Sequence, residues 1–125
     1  MDKQTFVAPG AAPPVGPYSP AVGAGQFVFL SGQIALDEAG QLTADAAPDQ
    51  ARKALENMGL LLSAAGLTFS DVVKTTIFLA DMGDFAAVND VYGEFFAEPY
   101  PARSTVQAGA LPKGARVEIE AVALR

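Results

Sequence analysis

The sequence predicts an α+β domain in which a mostly antiparallel or mixed β-sheet carries two helices on one face. Several short segments alternate in polarity, as strands do, and two longer segments repeat apolar residues at helical spacing. Their order along the chain is strand, strand, strand, helix, strand, helix, strand, strand, which such a sheet accommodates. The 125 residues, half of them hydrophobic, suit one domain spanning residues 1–125.

The first part of the chain predicts three strands, at residues 4–8, 21–24 and 27–36. The third begins with apolar residues on both faces, so we expect both faces of the sheet to be covered. Ser31-Gly32 interrupts this run, and glycine in a strand permits the close approach of a backbone or a ligand. A bulge without any ligand would leave the same pattern.

The helices are predicted at residues 48–65 and 85–97. The first should end at Gly66, and Asp84 should cap the second. Asn89 lies next to the apolar stripe of the second helix, so it is either a polar core group or a site residue. The stripe of the first helix comprises Ala47, Ala51, Ala54, Leu55, Met58, Leu61, Leu62 and Ala65, and that of the second Phe85, Val88, Tyr92 and Phe95.

A strand at residues 71–80 separates the helices, and two more, around residues 102–106 and 117–121, end the chain. The linker 109–114 between the last two is rich in turn residues and could close a hairpin. With the turn near Leu111 and Pro112, Arg103 would lie opposite Glu120, and Thr105 opposite Glu118. This register would place a guanidinium and two carboxylates on one sheet face, and a slip of one residue would break it.

Composition excludes several classes of function. The net charge of -6 argues against a nucleic-acid partner. Because the chain has neither Cys nor His, a Ser-His-Asp triad, a thiolate nucleophile and most zinc sites are excluded, and acid–base chemistry falls to Asp, Glu, Tyr, Lys or water. The polar start and the lack of a long apolar run predict a cytoplasmic protein without a membrane partner.

Arg103 is the most informative candidate, because a guanidinium can bind a carboxylate through two parallel hydrogen bonds. A glutamate beside it could orient or deprotonate a water molecule. A cross-strand salt bridge is the structural alternative. Tyr18 lies on a stiff segment between Pro17 and Pro20, although an ordinary loop aromatic would look the same. The apolar residues on the uncovered sheet face favour an oligomer.

Five segments resemble the signatures of the RidA (YjgF) family of enamine/imine deaminases, in the family's order and spacing and over almost the whole chain. The resemblance implies a chorismate-mutase-like fold, a homotrimer with ligand clefts between subunits, and no metal or organic cofactor. It also implies hydrolysis of 2-imino acids, such as 2-iminopropanoate and 2-iminobutanoate, to 2-keto acids and ammonia. The segments are Gly16-Pro17-Tyr18-Ser19, Ser31-Gly32-Gln33-Ile34, Asp71-Val72-Val73-Lys74-Thr75, Pro101-Ala102-Arg103-Ser104 and Val117-Glu118-Ile119-Glu120-Ala121.

The resemblance also implies roles for individual residues. Arg103 matches the arginine that binds the substrate carboxylate, and Glu118 matches the glutamate that positions the hydrolytic water, in place of the Glu120 that the hairpin register favours. Tyr18 and Ser31 match the cleft tyrosine and serine, and either hydroxyl could act in catalysis by hydrogen-bonding the substrate nitrogen or the developing tetrahedral centre. Gly32 supplies backbone beside them, and Asn89 matches a cleft-lining asparagine.

Two positions depart from the family pattern. Thr105 stands where many members have Cys, although its backbone N–H can still bind a carboxylate. Pro20 stands where Gln is common, which could alter the tyrosine loop and the substrate preference. Two other functions stay open: a non-catalytic trimer that binds small metabolites or acts as a chaperone, and a deaminase of aminoacrylate derivatives in pyrimidine breakdown.

Overall fold

The computed structural model describes residues 2–125, which form a six-stranded sheet with two helices against one face. The strand order is β1-β2-β3-β6-β4-β5, in which β4 and β5 are parallel and the other neighbours antiparallel. The predicted α+β class is confirmed. The elements are β1 (Gln4–Phe6), β2 (Ala21–Ala24), β3 (Phe27–Gln33), α1 (Ala47–Ala64), β4 (Val72–Leu79), α2 (Phe85–Gly93), β5 (Ala102–Gln107) and β6 (Val117–Leu124).

Helix α1 supplies much of the core, and its predicted stripe is confirmed. The helix begins with Pro48 in its first turn, where the missing N–H of proline is tolerated. It ends just before Gly66, whose φ of +77° is the left-handed conformation that favours glycine. The buried stripe packs on the inner residues of β3, β4 and β6, including Val28, Leu30, Ile77, Leu79, Val117 and Ile119.

Strand β4 shows the predicted alternation except at its first two residues. Val72 is buried and Val73 exposed, whereas an uninterrupted alternation would put Val73, and not Val72, on the same face as Thr75, Ile77 and Leu79. The register between β4 and β6 shifts between Val72 and Lys74, and the extra residue at this irregularity changes which face each side chain takes. Beyond the shift the alternation holds, and the buried residues on one face are Thr75, Ile77 and Leu79.

Helix α2 is shorter than predicted, because it ends at Gly93 rather than near Ala97. Its last turn closes as a 3₁₀ turn, with hydrogen bonds that span three residues: Glu94 N–H donates to Val91 O, and Phe95 N–H donates to Tyr92 O. Asp84 precedes the helix but its side chain makes no capping bond.

The predicted hairpin between the last two strands is wrong. Strand β5 pairs with β4 at the edge of the sheet, whereas β6 lies between β3 and β4. The linker therefore crosses the end of β4, where Ala108 N–H donates to Leu79 O and Ala80 N–H donates to Arg116 O. In consequence neither predicted pair forms: the register partner of Arg103 is Thr75 and that of Glu118 is Phe78.

The face of the sheet away from the helices carries several large apolar side chains, as predicted, and it is open. Phe27 and Phe29 are 45% and 48% exposed, with their ring centroids 6.2 Å apart. Val106 and Leu124 are also exposed large hydrophobic residues on this open face. Neither helix in residues 2–125 is long and apolar enough to span a membrane.

Candidate functional site

The carboxyl group of Glu118 lies directly against the backbone of Gly32. The register between β3 and β6 shifts between Leu30 and Gln33, and Gly32 lies within this irregularity. A Cβ atom on Gly32 would lie 2.8 Å from Cδ of Glu118 and closer still to its Oε2. Any larger residue at this position would displace the Glu118 carboxyl from its present place. The close approach that the sequence predicts is therefore made by a side chain of the same protein.

The environment of Glu118 favours its neutral form. Burial raises the pKa of this carboxyl above its ordinary value, and the negative charge of Glu120 raises it further. Within residues 2–125 no cation forms an ion pair with it. A carboxylate with a raised pKa is a stronger base once it is ionised, so this group suits proton abstraction from water.

The loop that carries Tyr18 is fastened to β3 through Ser31. The Ser31 hydroxyl donates to the carbonyl of Ser19 over 2.7 Å, and the Ser31 backbone N–H donates to the carbonyl of Pro20 over 2.9 Å. The Tyr18 hydroxyl accepts a bond from the N–H of Val15. These contacts hold Tyr18 on the rim of the cavity that Glu118 and Gly32 line.

A second, smaller cavity of about 50 Å³ adjoins this one and shares Tyr18, Gly32 and Glu118 with it. Pro20 lies in the wall of the smaller cavity. Sequence reasoning missed most of its other apolar lining residues, because they reach the cavity from three separate loops that no local pattern connects. They include Val15, Ile34, Leu36 and Pro112.

Arg103 lies on the opposite face of the sheet, the face that carries the helices. Its guanidinium carbon lies 4.8 Å from the ring centroid of Tyr92 and 5.7 Å from that of Phe85. In the part of the chain that the structure describes, the ion pair found is Arg52–Glu94, so the salt-bridge alternative for Arg103 is wrong. The guanidinium is free to bind an external carboxylate.

The cleft beside Arg103 has a volume of about 270 Å³. Asn89 is exposed and lines it, which excludes the alternative of a polar core group. Tyr92 and Tyr100 also line the cleft. Sequence reasoning placed Phe85 and Tyr92 in the core stripe of α2, and their spacing of two helical turns was the signal that both could face Arg103.

Two side chains near Arg103 differ in how their hydroxyl groups are satisfied. The Tyr92 hydroxyl bonds to Thr75 Oγ1 over 2.7 Å, and burial raises the Tyr92 pKa against the opposing effects of this bond and of Arg103. Thr105, two residues after Arg103 on the same face of β5, has a buried Oγ1 with no hydrogen-bonding partner in residues 2–125.

The candidate residues therefore form two groups on opposite faces of one sheet. Tyr18, Ser31, Gly32 and Glu118 lie together on the open side. Arg103, Asn89 and Tyr92 lie together on the helical side. Ile77 and Leu79 point into the core between the helices and the sheet, which places Phe78 and its partner Glu118 on the other side. A single chain does not bring Arg103 and Glu118 together.

Comparison with known proteins gives consistent matches. The model of the family described as Endoribonuclease L-PSP matches residues 9–125. The human protein named 2-iminobutanoate/2-iminopropanoate deaminase is 49% identical over 122 residues, which cover 97% of this chain and 87% of that protein. The crystal structure of Escherichia coli TdcF with bound serine is 44% identical, with a TM-score of 0.90 and 98% of both chains covered. RidA from an Antarctic Psychrobacter is 42% identical, with a TM-score of 0.93, and the match covers 98% of this chain and 99% of that one.

Proposed function

The chain belongs to the endoribonuclease L-PSP family, which includes the RidA proteins, and from this premise we propose that it is a hydrolytic deaminase of 2-imino acids. Its substrates are reactive imines such as 2-iminopropanoate and 2-iminobutanoate, and its products are 2-keto acids and ammonia. The observation that carries the proposal is the half-buried Glu118 carboxyl, which forms no ion pair within residues 2–125 and faces a cavity. The chain that carries it is 49% identical to a protein named for this activity.

The reaction needs two functions from the protein. Arg103 binds the substrate carboxylate and so fixes the imine carbon beside a water molecule, with Asn89 and the backbone N–H of Thr105 at the same end of the substrate. Glu118 orients that water and accepts its proton as the oxygen adds to the imine carbon. That proton then passes to the nitrogen, which gives a carbinolamine. Glu118 next transfers the hydroxyl proton of this intermediate to the same nitrogen, so that the C–N bond breaks, ammonia leaves and the carbonyl of the keto acid forms.

The remaining site residues support these two functions. The Tyr18 hydroxyl hydrogen-bonds the tetrahedral centre or its nitrogen in the proposed mechanism. The Ser31 hydroxyl donates to the Ser19 carbonyl, so its role is to hold the Tyr18 loop against β3. Gly32 gives the Glu118 carboxyl the space that it occupies. An imine is already electrophilic, so the reaction does not require a strong nucleophile.

The distribution of these residues over two faces supports a composite site. One substrate molecule can contact both Arg103 and Glu118 only if it lies between two copies of the chain. The open apolar face, with Phe27 and Phe29, gives a second copy a surface to bury. We propose a homotrimer in which each cleft takes Glu118 from one subunit and Arg103 from its neighbour.

Light scattering or sedimentation near neutral pH should therefore give about three times the 12.9 kDa mass of the chain. The physical reason is that the isolated chain leaves several large apolar side chains in water. A monomer that persists at micromolar concentration and still hydrolyses imines would contradict the composite cleft.

Turnover is the direct test of the proposed function. A PLP-dependent dehydratase can generate the imino acid in solution, and keto-acid formation should be faster in the presence of this protein. An unchanged rate for every imino acid, combined with retained binding of the keto acid, would instead favour the non-catalytic binding module. Including an aminoacrylate derivative among the substrates tests the alternative in pyrimidine breakdown.

The description of the family model names an endoribonuclease, and this activity is not what we propose for the chain. A net charge of -6 repels the phosphate backbone, and the chain has no His for acid–base catalysis at a phosphodiester. The site residues are instead matched to a small carboxylate.

A further inference from the structure

We propose that Phe85 and Tyr92 are positioning residues that hold the Arg103 guanidinium in the orientation that receives a carboxylate. The inference rests on the proposed function for the identity of the ligand, a 2-imino or 2-keto acid. The two rings act through Arg103 and need not touch the substrate themselves.

The geometry of the three side chains supports this role. Both ring centroids, at 4.8 and 5.7 Å from the guanidinium carbon, lie within the roughly 6 Å over which a cation–π contact is favourable. Phe85 and Tyr92 are two turns apart on α2, so they present their rings to the same side. No carboxylate in residues 2–125 pairs with Arg103, so the aromatic contacts are what restrain its head group.

The inner ring of this pair is itself held in place. The Tyr92 hydroxyl bonds to Oγ1 of Thr75, a fully buried residue that is also the register partner of Arg103. The Tyr92 ring stacks on Phe96 with centroids 4.4 Å apart and planes inclined by 25°. Thr75 on β4 therefore anchors the Tyr92 ring, and its register partner on β5, Arg103, supplies the guanidinium that the ring contacts.

Aromatic contacts leave the carboxylate-binding edge of the guanidinium free. A ring satisfies the cation through its π face, whereas a carboxylate is bound through the N–H groups in the guanidinium plane. A guanidinium that is already restrained loses less conformational freedom when the substrate binds. Removing a ring should therefore weaken carboxylate binding and leave the Glu118 chemistry intact.

The first test compares Phe85→Leu with Phe85→Tyr. Phe85 is 40% exposed, so the leucine variant should fold. Calorimetry should show 2-ketobutyrate binding weakened about three- to tenfold by Phe85→Leu and restored to within about twofold by Phe85→Tyr. The KM for the imine should follow the Kd, while kcat stays near that of the wild type.

The second test separates the ring of Tyr92 from its hydroxyl. Tyr92→Phe keeps the π face, so it should retain 2-ketobutyrate binding, while its Tm falls because the Thr75 hydroxyl loses its partner. Tyr92→Leu should lose binding as well. If Tyr92→Leu does not fold, the Phe85 pair still decides the question.

Phe6→Leu is the matched control for the loss of an aromatic ring. Phe6 lies on β1, at the edge of the sheet opposite β5, and packs against the core, whereas the rings over the Arg103 guanidinium are those of Phe85 and Tyr92. This control should have a lower Tm and unchanged 2-ketobutyrate binding.

Three outcomes would overturn the inference: wild-type affinity for 2-ketobutyrate in Phe85→Leu, failure of Phe85→Tyr to restore that affinity, or a wild-type protein that binds no 2-ketobutyrate. Wild-type protein that binds 2-ketobutyrate but hydrolyses no imine would refute only the proposed function.

Discussion

Replacing Glu118 by glutamine should lower kcat for imine hydrolysis by about a hundredfold or more. The amide keeps the size and hydrogen-bonding capacity of the carboxyl group beside Gly32, but it cannot accept a proton from water. Binding of 2-ketobutyrate, measured by calorimetry, should stay within about twofold of the wild type, because Arg103 still holds the carboxylate. Full turnover by a folded Glu118→Gln variant would remove the general base from the mechanism.

The pH dependence of the wild type should identify the same group. Burial and Glu120 raise the pKa of Glu118, and the carboxyl must be ionised to act as a base. In the pH profile of kcat/KM, the apparent pKa of the acid limb should therefore lie above the ordinary pKa range of a glutamate. Glu120→Gln is the matched control: it removes the neighbouring charge, so the limb should move to lower pH while most of the turnover survives.

Stability should change in the opposite direction to activity. A raised pKa in the folded state means that ionising Glu118 costs folding free energy, and this loss develops as pH rises from the unfolded-state pKa through the folded-state pKa. Glu118→Gln removes the loss, so its Tm at neutral pH should equal or exceed that of the wild type, and the difference should vanish in acid. A structural ion pair would give the reverse, a variant that is less stable at neutral pH.

Much of the fold is readable from local patterns. The stripe of α1 and the alternation of β4 both reflect burial against one core, and burial imposes the helical and strand periods on the sequence. Local patterns did not predict which strands β5 and β6 pair with. Consecutive strands joined by a turn-rich linker suggest a hairpin, yet the linker crosses β4, and only long-range packing decides between the two arrangements.

The site divides along the same line. The sequence alone identifies the candidate site residues, because an arginine that can bind a carboxylate and a glutamate that can activate water suit the hydrolysis of an imino acid. Their distribution over two faces follows from the register, which pairs Arg103 with Thr75 and Glu118 with Phe78. A prediction that joined Arg103 to a carboxylate within one chain therefore failed, and the two groups can share a substrate only across two chains.

Replacing Arg103 by lysine should weaken 2-ketobutyrate binding and imine turnover together, each by about ten- to a hundredfold. Lysine keeps the positive charge but loses the planar pair of donors that matches a carboxylate, and it stacks less well on Phe85 and Tyr92. Calorimetry and the coupled turnover assay measure the two effects separately. The joint loss distinguishes Arg103 from Glu118, whose replacement should affect turnover alone.

Arg52→Lys is the matched control for this substitution, since Arg52 is the arginine that pairs with Glu94 at the surface, 2.8 Å between Nη2 and Oε2. An exposed ion pair contributes little to stability, so this variant should bind 2-ketobutyrate and hydrolyse imines as the wild type does. Arg103→Ala should lose both functions while remaining folded, because the guanidinium lies in an open cleft and anchors no other charged group in residues 2–125. Undiminished imine hydrolysis by folded Arg103→Ala would exclude Arg103 as the residue that binds the carboxylate.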